Sequence, residues 1–119
     1  MTTNTTNAST LLSLAEDPSL IGRDIIIEED NYMMRGPIAT VEIIRGDSLA
    51  ITLEWLAIRT SRGKNTWQMD ERQDTVFSCA DEWGSAKRGS DDSVEISVPY
   101  SWFGRILPAD ADSLPKPTD

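Results

Sequence analysis

RGPIATVEIIRGDSLAITLEWLAIRT, residues 35–60, is the stretch on which the fold turns. In its first half Val41 and Ile43 fall on one face, and Thr40 and Glu42 on the other. In its second half Leu49, Ile51, Leu53, Trp55 and Ala57 share a face, opposite Ala50, Thr52 and Glu54. Alternation with period two is the mark of a strand with one buried side. Between the halves stands Arg45-Gly46-Asp47, the letters of a cell-adhesion tripeptide. Two strands of matching pattern must reverse direction there. Glycine permits the positive φ of a tight hairpin and aspartate tolerates turn geometry, so the tripeptide reads as a turn, with Arg45 an ordinary strand-end charge. Leu56 and Ile58 fall on the polar face and predict a bend, a bulge or a second contact surface.

The same reading extends outward. RDIIIEED (23–30) is a β-branched run closed by acids, and VEISV (94–98) turns Val94, Ile96 and Val98 inward. TWQMDERQDTVFSCADEW (66–83) holds one or two strands, the clearer from Thr75 to Asp81. GSAKRGSDDS (84–93) reads as a polar loop, and Ile106-Leu107 as a short last strand. STLLSLAEDPSLIG (9–22) has room for one helical turn, capped by Ser9 or Thr10 and ended by Pro18. The sum is an all-β chain of five to six short strands with almost no helix. Residues 1–11 read as a flexible tail, 12–108 as one domain, and 109–119 as a flexible acidic and proline-bearing tail. At 119 residues the choice lies between a small barrel and a compact sandwich. VPYSWFGRI (98–106) resembles the end of SH3-like barrels, where a proline-led turn joins the last two strands. The resemblance implies a small SH3-like β-barrel and carries no function across.

Composition removes several function classes. Twenty acidic and eleven basic side chains give a formal charge of −9, which repels nucleic acid and anionic lipid and favours a basic partner. There is no histidine, hence no ready general base, and no Cys–His dyad with the single Cys79. One cysteine cannot form an intrachain disulfide, which fits a reducing, cytoplasmic setting. MTTNTTNASTLLSLAED lacks the basic and apolar segments of a signal peptide, so its two glycosylation sequons read as chance matches. No calcium-loop spacing, zinc ligand set or phosphate loop is present, and no metal or cofactor is expected.

What is left is a surplus of aromatic rings. Trp55 lies on the alternating apolar face and is assigned to the core. Tyr32, Trp83, Tyr100 and Trp102 fall near turns, where aromatic rings form recognition patches. Glu28, Glu29 and Asp30 make an acidic loop after the first strand. The SH3-like resemblance implies contact of that loop with basic peptide side chains. The expected function is a non-enzymatic, soluble module binding a protein or peptide. The alternative is an acidic inhibitor that mimics phosphate charge before a basic, nucleic-acid-handling protein. An enzyme using a carboxylate pair would need a deep pocket with a raised pKa.

Overall fold

The computed structural model describes residues 11–29, 31–60, 67–69, 76–99, 101–112, 114 and 115. Its strands are β1 (Asp24–Glu29), β2 (Tyr32–Ile44), β3 (Ser48–Leu53), β4 (Ala57–Thr60), β5 (Gln68–Met69), β6 (Val76–Ala80), β7 (Ser85–Arg88), β8 (Val94–Val98) and β9 (Trp102–Ile106). Every pairing is antiparallel. One run of neighbours goes β5-β4-β2-β1-β9-β8-β7, and β3 and β6 branch from the far half of β2. The sheet is open. Among the described residues its end strands β5 and β7 are not joined, so the all-β class holds but the closed barrel does not. Among the described residues nine strands replace the expected five or six, because pairing is set by backbone contacts that short polar segments can also make.

The branching has a local cause. Along one edge of β2, Tyr32–Arg35 pair with β4 and Ile38–Ile44 pair with β3. The run 48–60 is therefore two strands, not one. It breaks at Glu54–Leu56, where the chain steps from one half of β2 to the other. At the step, the Glu54 N–H donates to the Pro37 carbonyl at 2.9 Å. Trp55 presses its own carbonyl so close to Gly36 that a Cβ there would lie 2.0 Å from the oxygen. A register shift between Ile38 and Thr40 bends β2 at the same place. The break explains Leu56, which is buried in the core although the alternation puts it on the polar face. Trp55, expected in the core, is only half-buried because it sits on the step.

The hydrophobic core lies under the sheet. Ile25, Ile27, Met34, Ile38, Leu49, Ile51, Ile96 and Ile106 are among its fully enclosed side chains. Two 3-10 turns, Leu11–Glu16 and Pro18–Leu20, close it with Leu11, Leu14 and Leu20. The first turn stops at Glu16, just before Pro18, and Pro18 then starts the second. Asp17 caps it by accepting from the Ser19 N–H at 3.0 Å. Leu11, placed in the tail by its polar neighbours, is 1% exposed. The expected caps Ser9 and Thr10 lie outside the described residues. At the reversal between β2 and β3, Arg45 (φ 56°) and Gly46 (φ 76°) both adopt left-handed backbone, so Arg45-Gly46-Asp47 is the turn. Ala86 pairs with Ile96, so the polar loop 84–93 contains an edge strand. The last strand starts at Trp102, earlier than Ile106-Leu107 suggested.

Residues beyond β9 pack back on the sheet. Arg35 Nε donates to Asp24 Oδ2 at 2.7 Å, in a pair almost closed to solvent. The Leu114 N–H donates to the same carboxylate at 2.9 Å, and Arg35 Nη2 donates to the Asp112 carbonyl at 2.8 Å. Arg23, also buried, donates through Nε to the Leu107 carbonyl at 2.9 Å. Part of the segment 109–119, expected to be a free tail, is thus held against β1 and β2. Asp24 is buried and Arg35 partly so, and the cost of desolvating the Asp24 carboxylate is offset only while its partner and hydrogen bonds remain.

Three substitutions test these contacts by chemical denaturation. Gly36→Ala should cost about 3 kcal/mol or more, because the Trp55 backbone must shift. Gly46→Ala, where a Cβ meets nothing within 4 Å, should cost only about 1 kcal/mol from its positive φ. Asp24→Ala strands the Arg35 charge and should cost about 3–5 kcal/mol.

Candidate functional site

The ladder between β1 and β9 ends at the pair Glu28–Phe103. The flanking hairpins run further, β1–β2 to Glu29–Tyr32 and β8–β9 to Val98–Trp102. Beyond Glu28–Phe103 the two hairpin ends stand side by side without pairing, and a groove of about 810 Å³ lies between them. One bank is Glu28, Glu29, Asn31 and Tyr32. The other is Ser97, Val98, Ser101, Trp102 and Phe103. Two carboxylates and three aromatic rings line it, with no basic side chain among the lining residues.

Register decides which groups reach the groove. Glu28, Phe103 and Ser97 are successive cross-strand neighbours and point to the solvent face. Phe103 is one of the few large apolar side chains left exposed, at 37%. Trp102 points the other way and is half-buried. Its ring meets Phe77 edge to face, centroids 5.9 Å apart at 60°, and it packs on the core. Trp102 therefore has a structural part as well as a groove-lining one.

Four of the residues singled out from sequence meet here: Glu28, Glu29, Tyr32 and Trp102. Trp83 does not. It is 68% exposed on the 3-10 turn Asp81–Trp83, outside the groove lining. Asp30 and Tyr100 lie outside the described residues. Phe103, Ser97 and Ser101 were missed. A final strand beginning at Trp102 would have placed Phe103 across from Glu28, so the signal was the strand boundary and not the residue type.

Elsewhere three aspartates are paired with arginine. Asp17 meets Arg88 at 2.9 Å, Asp91 meets Arg105 at 3.4 Å, and Asp92 meets Arg23 at 3.3 Å. The hydrogen bond from the Ser19 hydroxyl holds the Asp17 carboxyl below its ordinary 3.8, with Arg88 adding to it. The Ser93 hydroxyl and N–H do the same for Asp91. Burial raises the Cys79 thiol above its ordinary value, and the Asp81 charge adds to that. Arg59 lies over the Trp67 ring, 4.9 Å from its centroid. Among the described residues no three His, Cys, Asp or Glu side chains gather as metal ligands, and no helix is long and apolar enough to cross a membrane.

Lowered carboxyl values favour the folded state above the ordinary pKa, and that contribution fades as the pH falls through the folded value. The Tm difference between the wild type and Asp17→Asn should be constant at neutral pH and narrow below about pH 4. Cys79 should resist iodoacetamide in the native protein at about pH 8 and react once the chain is denatured.

Comparison of the chain with known protein families, characterised proteins and solved structures returned no match, so the functional reading rests on this groove.

Proposed function

We propose that the protein is a non-enzymatic binding module whose groove between the β1–β2 and β8–β9 hairpins takes a basic segment of a partner protein. One observation carries the reading. Glu28 and Glu29 share a groove with Tyr32, Trp102 and Phe103, and no basic side chain lines it. Carboxylates beside aromatic faces suit a guanidinium or ammonium group, which gains charge pairing and cation–π contact together. The net charge of −9 adds long-range attraction.

The acids engaged by Arg23, Arg35, Arg88 and Arg105 are interleaved with basic side chains rather than gathered in one stripe. A phosphate-mimicking inhibitor needs such a stripe, so the pattern favours the peptide-binding reading.

The test is an NMR titration of the isotope-labelled protein with an acetylated peptide alternating arginine and alanine. Amide shifts should cluster at Glu28–Tyr32 and Ser97–Phe103. Glu28→Lys combined with Glu29→Lys should weaken binding roughly tenfold, and raised salt should weaken it further. Phe103→Ala should weaken it without unfolding the protein. Trp102→Ala is a poor probe, since its packing on Phe77 should cost about 2–3 kcal/mol of stability. Shifts spread over the whole surface, or equal affinity in the double variant, would reject the site.

A further inference from the structure

A second surface lies at the other end of β2. Its outer edge is covered only as far as Ile38, whose N–H donates to the Arg23 carbonyl at 2.9 Å and whose carbonyl accepts from the Gly22 N–H at 2.8 Å. From Ala39 to Ile44 one edge pairs with β3, and among the described residues no strand pairs with the other. Alternate N–H and C=O groups of this run point away from β3. Natural edges are usually blunted by proline, by several charges or by a bulge. ATVEII has one charge and no proline, and the bulge is confined to its first residue, Ala39. A groove of about 340 Å³ runs beside it, between Ala39–Glu42 and the segment containing Glu16, Pro18 and Ile21. Ile21 and Ile43, exposed at 47% and 44%, flank this edge.

Unpaired backbone in extended form is complemented by another strand. We propose that the Ala39–Ile44 edge is a strand-addition site for an extended segment of a partner protein in which apolar residues alternate with lysine or arginine. The alternation follows from the register. Val41 and Ile43 lie opposite Ile51 and Leu49, on the apolar side, while Thr40 and Glu42 lie on the other. An added strand meets apolar side chains on one face and the Glu42 carboxylate on the other. Charge selects the occupant. Glu16 and Glu42 are both exposed and line the groove. A second copy of this chain would bring the same acids to the edge, whereas a basic strand pairs with them. The site is separate from the hairpin groove and does not depend on that reading.

The probe is an acetylated hexapeptide alternating lysine and valine, titrated into the isotope-labelled wild-type chain. Amide shifts and slowed hydrogen exchange are expected from Thr40 to Ile44. Glu42→Lys, an exposed substitution, should weaken binding about fivefold, and a peptide with glutamate in place of lysine should not bind there. Four outcomes would overturn the proposal: no shifts on this edge, shifts confined to Glu28–Tyr32 and Ser97–Phe103, affinity indifferent to Glu42→Lys, or no preference for lysine over glutamate. Sedimentation of the protein alone should show a monomer. A dimer abolished by Ile43→Lys would assign the edge to a second copy instead.

Discussion

The contact on which the architecture depends is the approach of the Trp55 carbonyl to Gly36. Only a residue without a side chain lets the chain cross β2 at that distance. The crossing hands the same edge of β2 from β3 to β4. It divides a run of sequence into two strands and places Leu56 in the core. The bulge after Ile38 provides the bend that lets one strand of 13 residues serve both branches. Without the crossing, β3 would continue along β2, and β4 and β5 would lose their place.

A second tie binds the end of the chain to its beginning. Asp24, Arg23 and Arg35 hold Leu107, Asp112 and Leu114 through backbone carbonyls and an N–H. Such hydrogen bonds set position more than they add net stability. They keep Asp112 and Leu114 beside β1 and β2 and leave the opposite ends of the β1–β2 and β8–β9 hairpins to form the groove.

Much of the fold can be read from alternation alone. Val94, Ile96 and Val98 are buried as their spacing requires, and so are Leu49, Ile51 and Leu53. The same signal misleads at Trp55, which continues the period across a break that arises from a distant glycine, although Ala57 beyond the break is buried as its spacing requires. It is silent for Ser85–Arg88, whose place depends on pairing with β8 and not on any apolar side. Whether a sheet closes depends on its end strands meeting, which short-range patterning does not encode. The site divides in the same way. Glu28, Glu29, Tyr32 and Trp102 stood out by residue type, because acids and rings near turns are unusual company. Phe103 and Ser97 belong to the site through register alone, and register was obscured by a final strand drawn too short. Trp83 shows the limit of residue type, since exposure does not bring it to the groove.

The pairing of β1 with β9 also governs the order in which the molecule can assemble. Ile25 finds Ile106 across it, and Asp24 finds Leu114, near opposite ends of the chain. During synthesis β1 and β2 can join as a local hairpin, but the free edge of β1 must wait for the last strand. Until then the buried face of Ile25 and Ile27 has no neighbour on that side. Long-range closure of this kind slows folding and leaves a nascent edge open to wrong partners.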